Sequence, residues 1–177
     1  MAGTITQLRD SALDIIHWIL TRSKFEVKTV PKGRHDEVLS LAKCSVQKQP
    51  PNQIFKITYN NSSGAERKYQ LLSQGRPKKF AYHGTKFYNV YTILNYGLQQ
   101  HLNKTGLFGE GLYFAFELQI SALFSPSVLS WNKSKIGNLM SCVALCEYID
   151  DPMHYKIQKG KKSLKLLKLN VQAIPFC

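Results

Sequence analysis

Phe80-Ala-Tyr-His-Gly-Thr85 and, one helix later, Leu107-Phe-Gly-Glu-Gly-Leu-Tyr-Phe114 decide how this chain is read. The first run, Lys79 to His83, is short and apolar enough for an internal strand, and it ends on His83-Gly84. Between the two runs, Lys86 to Tyr96 sets Phe87, Val90, Tyr91 and Leu94 at helical spacing, with Gly97 behind them as a C-terminal cap. The second run places Gly109-x-Gly111-x-Tyr113 at the head of a strand, Gly111 to Ala115. It is not a dinucleotide fingerprint, because it lacks the third glycine and leads into a strand instead of a helix. Glu117 to Phe124 reads as a short helix that Ser125-Pro126 ends.

Outward from this centre the pattern alternates between helix and strand. Residues 5–20 carry Leu8, Ala12, Ile15, Ile16 and Ile19 at helical spacing, and Thr4 with Gln7 offers a capping box. Phe25 to Val30 alternates as a strand. Asp36 to Cys44 predicts a second helix with Val38, Leu41 and Ala42 on one side, stopped at Gln49-Pro-Pro-Asn52. Ile54 to Tyr59 is a strand with Phe55, Ile57 and Tyr59 on one face. Asn60-Asn-Ser-Ser-Gly64 is turn-like, and Lys68 to Leu72 is read as the returning strand of a hairpin. After the central stretch, Ser127 to Gly137 is a loop carrying Trp131. Asn138 to Ile149 is the longest strand, and a basic tail follows.

A chain of 177 residues with 44% hydrophobic content suits one domain with a real core. No apolar run is long enough to span a bilayer, and the N-terminus has no basic region followed by an apolar block, so no signal peptide is expected. Sequons at Asn60, Asn61, Asn103 and Asn132 therefore carry little weight. Cys44, Cys142, Cys146 and Cys177 match neither a zinc knuckle nor a disulfide scaffold, so buried reduced thiols and a reducing, cytosolic setting are expected. Lysine and arginine total 24 against 11 acids, a formal charge of +13, which favours anionic partners. Lys156, Lys159, Lys161, Lys162, Lys165 and Lys168 meet no acid after Asp151. They read either as a solvated tail or as an electrostatic contact for anionic membrane or nucleic acid.

The central stretch has the parts of a pocket for a planar amide, the nicotinamide of NAD above all. A carboxamide both donates and accepts, and a backbone residue answers both at once, with glycine allowing the closest approach. Gly84 stands at the strand end for this. His83 can meet a ribose hydroxyl, Tyr113 and Phe124 can stack on the ring, and Ser121 can add a hydroxyl to the carboxamide. Each residue alone is weak evidence, since His-Gly pairs are common and a strand tyrosine is ordinarily core. The ordered set is the specific signal.

That set resembles the poly(ADP-ribose) polymerase family of diphtheria-toxin-like ADP-ribosyltransferases. The nearest branch in appearance is the tail-anchored mono-ADP-ribosyltransferases of the endoplasmic reticulum. His101 to Tyr113, Ser141 to Asp150, Trp18-Ile-Leu and Ser125-Pro126 carry the likeness, which runs from about Asp10 to about Ile157. It implies an α+β fold with a split antiparallel sheet and flanking helices. Residues 1–23 would be the last helix of an N-terminal helical domain, 24–157 an incomplete catalytic domain, and 158–177 a divergent basic tail. It places the first two members of the family's His-Tyr-Glu signature on His83 and Tyr113. Gly84 and Ser121 fall on the carboxamide contacts, and Phe124 on the second stacking ring. It implies transfer of ADP-ribose from NAD, as co-substrate, to protein acceptors with release of nicotinamide, and no metal. The third signature residue, a tyrosine in this branch, belongs to a strand beyond Ile149. Glu147 is therefore not taken for the catalyst, and the closing strands and membrane anchor are expected to be missing. Two other readings follow from that: an inactive relative that still binds NAD or nicotinamide, and a basic protein of nucleic acid or membrane surfaces. Without closing strands, the strand within Asn138 to Ile149 would be left with an open apolar edge.

Overall fold

The computed structural model describes residues 10–22, 24–42, 50–60, 64–99, 109–130, 132–134, 136–153, 155–159 and 165–169. The Thr4–Gln7 capping box, Cys44, the loop from His101 to Phe108, Trp131, Lys161, Lys162 and Cys177 lie outside them. Helix α1 (Asp10–Arg22) leads into strand β1 (Phe25–Val30). Helix α2 (His35–Ser40) follows, then β2 (Ile54–Tyr59). Strands β1 and β2 pair antiparallel from Phe25↔Tyr59 to Val30↔Ile54 as a separate two-stranded sheet. The Tyr59 ring packs edge-on against Phe25 at 5.8 Å, and its hydroxyl donates to the Leu94 carbonyl at 3.0 Å. Ile57 and Tyr59 are half-buried as the alternation predicts, but Phe55 is exposed.

The predicted hairpin after β2 is instead helix α3 (Gly64–Ser73). The sequence of this segment explains the correction. Gly-Ala-Glu-Arg-Lys-Tyr-Gln-Leu-Leu-Ser contains no β-branched residue and is rich in helix formers. Tyr69 and Ser73, four apart, are its buried positions. The Tyr69 hydroxyl donates to Glu147 Oε1 at 2.5 Å, and Lys78 Nζ lies 3.3 Å from the same oxygen. This contact docks α3 on the main sheet.

That sheet has five strands in the order β7-β3-β4-β9-β8. They are β3 (Lys78–Thr85), β4 (Leu112–Ala115), β7 (Cys142–Ile149), β8 (Tyr155–Lys159) and β9 (Lys165–Leu169), all antiparallel to their neighbours. Between β3 and β4 lie a single 3-10 turn, Phe87–Asn89, and helix α4 (Val90–Tyr96). Gly97 ends α4 with φ 78°, its N–H donated to Ile93 O at 2.7 Å, which is the predicted glycine cap. Of the stripe predicted on α4, Tyr91 is exposed and Ile93 takes its place among the half-buried residues. Helix α5 (Leu118–Ala122) follows β4, and the loop read across Ser127 to Gly137 begins with a short strand, β5 (Val128–Leu129), paired with β6 (Leu139–Met140).

The lysine-rich segment corrects the sequence reading most. Lys165–Leu169 forms β9 and pairs with β4 from Leu112↔Leu169 to Ala115↔Leu166, while β8 pairs with β9 from Tyr155↔Leu169 to Lys159↔Lys165. The register sets Leu169 and Tyr155 in the row of Leu112, and Leu167 and Ile157 in the row of Phe114, while Leu166 stands in the row of Ala115. The core is Ala81, Leu112, Phe114, Cys146 and Tyr148, joined by Leu98, Phe116, Ala144 and Tyr155. Strand β7 stands at one end of the sheet among the described residues.

One end of the sheet is held by charge. Lys79 Nζ lies 2.7 Å from Asp150, Arg76 lies 3.5 Å from Asp151, and Tyr155 donates to Asp150 at 2.7 Å. The Lys79 and Tyr155 hydrogen bonds hold the Asp150 carboxyl below its usual range. The cysteines depart from expectation. Cys142 is free and half-buried, with burial pushing its thiol up, but Cys146 is fully buried and disulfide-bonded. The argument for a reducing setting from buried thiols therefore falls. No helix among the described residues is long and apolar enough to cross a membrane.

Candidate active site

Strands β3 and β4 share a single residue pair, Tyr82↔Ala115. On its other side β3 stays laddered with β7 over its whole length, from Lys78↔Ile149 to Thr85↔Cys142. The sheet therefore opens between β3 and β4 beyond Tyr82, where His83 and Gly84 come next. The sequence reading ended this strand at His83; pairing with β7 carries it on to Thr85.

His83 bridges the opening. Its Nδ1 is 2.9 Å from the backbone carbonyl of Tyr113. A carbonyl only accepts, so Nδ1 carries the proton and Nε2 is left with a lone pair in the neutral ring. Phe114 lies beside the imidazole, ring centroids 5.3 Å apart. Burial lowers the His83 pKa below its ordinary value of 6.5, and the Tyr113 carbonyl opposes this more weakly. The folded ring is thus neutral at pH 7.

This has a measurable consequence. As pH falls below about 6.5 the unfolded chain takes up the His83 proton before the folded chain does. The contribution of the buried neutral ring is intact above that value and is lost as pH falls through it towards the depressed folded pKa. Urea midpoints of the wild type should decline over that window, and His83→Gln should flatten the decline. An equally steep decline in the variant would show that another group titrates.

Gly84 meets α5. A Cβ built on Gly84 would stand 1.7 Å from the Ser121 carbonyl oxygen and 3.2 Å from Phe124 Cβ. Only glycine lets the helix lie this close to the strand. Ser121 is buried, and its hydroxyl donates to the Tyr82 carbonyl at 2.8 Å, which leaves its oxygen free to accept from an amide N–H. Phe124 N donates to Ser121 O at 3.0 Å, while the Phe124 ring is 52% exposed and so is not a core ring. Strand alternation sets Tyr113 on the face opposite Phe114, the same face as Gly84 and α5. The Tyr113 hydroxyl donates to the Gly109 carbonyl, and Gly109 has φ 86°, so the hydroxyl fixes the glycine turn.

The structure thus gathers Gly84, Ser121 and Phe124 around one short helix, and ties His83 to the backbone of Tyr113 across the opening. Sequence reasoning missed the clamp below α5. Ser125 Oγ donates to Cys142 O at 2.6 Å and accepts from Cys142 N at 3.0 Å, and Ser141 Oγ donates to Ser125 O at 2.6 Å. Ser125-Pro126 signals a helix end and nothing more, so this pairing with β7 had no local sign. It also missed β9 beside Tyr113.

Comparison with known proteins places the chain in a family. The profile of the Poly(ADP-ribose) polymerase catalytic domain matches residues 36–173, which reaches well past Ile157 into the segment read as a divergent tail. The protein mono-ADP-ribosyltransferase PARP16 of Homo sapiens is 34% identical over 155 residues, covering 87% of this chain and 47% of its own length. The Mus musculus protein of the same name shows the same identity and coverage. The chain spans about half the length of these relatives. With its helices, its antiparallel sheet opened between β3 and β4, and a family match over most of its length, the chain belongs to the poly(ADP-ribose) polymerase catalytic domain family.

Proposed function

We propose that this chain binds NAD as co-substrate and transfers its ADP-ribose to a protein side chain, one unit at a time, with release of nicotinamide. The relatives are named protein mono-ADP-ribosyltransferases, which supports this reading. The observation that carries the reading is the opening of the sheet at His83-Gly84, with the imidazole tied to Tyr113 and the glycine pressed against Ser121 and Phe124.

In this reading the nicotinamide carboxamide lies on the Gly84 backbone, with the Ser121 oxygen accepting its N–H. Tyr113 and Phe124 flank the ring. The lone pair on His83 Nε2 accepts a ribose hydroxyl proton and fixes the sugar. The bond from ribose C1′ to the nicotinamide nitrogen breaks with its electron pair going to nicotinamide, which leaves neutral. The acceptor side chain forms the new bond at C1′ and gives up its proton. The site works by orientation and by support of the cationic sugar carbon.

A second reading, a binding module without turnover, is favoured by one observation. The strand beside Tyr113 is Lys165-Leu-Leu-Lys-Leu169, which offers neither a carboxylate nor a tyrosine.

Tyr113 tests the slot itself. Tyr113→Ala should weaken binding of 3-aminobenzamide by about 1–3 kcal/mol, by analogy with bases stacked on aromatic side chains, and Tyr113→Phe by much less. Calorimetry showing equal losses would assign the contact to the hydroxyl and remove the stacking role.

A further inference from the structure

We propose that Ser125, supported by Ser141, is the positioning residue that locks α5 against β3 and so sets one wall of the nicotinamide slot; this rests on the reading of the β3–β4 opening as that slot. Helix α5 has only five residues, Leu118–Ala122, too few to hold a helix unaided. Its N-cap residue, Glu117, makes no side-chain cap. Yet the helix carries Ser121 and leads into Phe124, the two residues that stand against Gly84. One anchor is the Ser121 hydroxyl, which donates to the Tyr82 carbonyl at 2.8 Å. A single hydrogen bond fixes a point and leaves the helix free to swing about it.

Ser125 supplies the second anchor. It is 2% exposed and follows Phe124 directly. Its Oγ donates to Cys142 O at 2.6 Å and accepts from Cys142 N at 3.0 Å. Both backbone groups of Cys142 therefore face Ser125, on the side of β7 away from its ladder partner Thr85. The hydroxyl stands where a further strand would pair with β7. Ser141 Oγ donates to Ser125 O at 2.6 Å and lies 3.2 Å from its hydroxyl, so the backbone of the same residue is held as well. Ser125 N donates to Ala122 O at 3.0 Å, which joins the anchor to the helix.

These contacts close a frame around the slot wall. Gly84 and Thr85 lie opposite Val143 and Cys142 in the ladder. Cys142 is bound to Ser125, Phe124 N donates to Ser121 O at 3.0 Å, and that same carbonyl oxygen would stand 1.7 Å from a Cβ on Gly84. A wall fixed in this way is ordered before an amide ligand arrives, which favours binding. Removing the Ser125 hydroxyl opens the frame at one link and takes from Cys142 the partner of its N–H and C=O. The ladder of β3 with β7, from Lys78↔Ile149 to Thr85↔Cys142, is not part of that link.

The test uses the full chain, with 3-aminobenzamide as the probe of the slot and amide hydrogen exchange as the probe of α5. Ser125→Ala should bind 3-aminobenzamide about tenfold more weakly than the wild type. The amides of Phe124 and Ser125, bonded to Ser121 and Ala122, should lose protection, while those of the β3–β7 ladder keep theirs. Ser141→Ala removes only the bond to the Ser125 carbonyl and should move the same two amides and the affinity in the same direction, by less. Tyr155→Phe is the control. It removes a hydrogen bond to Asp150, beyond the far end of β7, and should leave the affinity for 3-aminobenzamide unchanged. Wild-type affinity in Ser125→Ala would overturn the proposal. So would loss of protection in the ladder together with α5, which would make the serine a part of the general fold, and so would a Ser141→Ala chain indistinguishable from the wild type. A wild type that fails to bind 3-aminobenzamide, with α5 alone loosened in Ser125→Ala, would instead remove the nicotinamide reading and leave the clamp standing.

Discussion

Gly84→Ala should cost about 3 kcal/mol of stability and abolish binding of 3-aminobenzamide. The new methyl would stand 1.7 Å from the Ser121 carbonyl oxygen and 2.7 Å from its carbon. Both are backbone atoms, so no rotamer change clears the space. Helix α5 must lift away from β3, and with it go the Ser121–Tyr82 hydrogen bond and the position of Phe124. Gly33→Ala is the matched control, because a Cβ there meets nothing within 4 Å and should change stability by less than about 0.5 kcal/mol. Urea denaturation of both variants decides the point. A Gly84→Ala chain as stable as Gly33→Ala would mean that α5 does not lie where the structure puts it.

This glycine also shows how far the sequence alone could be read. Its place after an apolar strand and a histidine marked it as a close approach for a ligand amide; what the structure shows at this glycine is a close approach to the backbone of α5. The partner in the approach, the Ser121 carbonyl, was not legible, because it depends on how a five-residue helix docks. The strands and helices with clear periodicity, α1, β2, β3, α4 and β4, follow from their patterns, and the weak alternation of Phe25 to Val30 also formed a strand, β1. Helix α3 was misread because Asn-Asn-Ser-Ser-Gly looks like a hairpin turn, although the ten residues from Gly64 to Ser73 favour a helix by composition. Strand β9 was misread because its lysines drew attention away from the leucines between them. Its pairing with β4 is visible only when the two strands are set side by side. The disulfide at Cys146 had no sign at all in the cysteine spacing.

The candidate site residues His83, Gly84, Tyr113, Ser121 and Phe124 were legible as an ordered set and as a family likeness. Their geometry adds what spacing cannot give: the protonated nitrogen of His83, the spent hydrogen of Ser121, and the turn that Tyr113 holds. The branch's third signature residue was expected on a strand beyond Ile149. The strand found beside β4, Lys165–Leu169, carries neither a carboxylate nor a tyrosine, so turnover is the decisive question.

His83→Ala should lower release of nicotinamide from NAD by about 100-fold or more, because in the proposed reading the ribose loses a group that orients it. The imidazole spans the opening between β3 and β4, and its Nε2 is the acceptor left over once Nδ1 binds Tyr113. Gly84, Ser121 and Phe124 keep their contacts without it, so 3-aminobenzamide should still bind. The most direct measurement is therefore chromatography of nicotinamide released from NAD by the wild type and by His83→Ala, with benzamide binding recorded on both. The account predicts release by the wild type, its loss in His83→Ala, and benzamide bound by each. Equal release by the two, or benzamide binding with no release by the wild type, would contradict it.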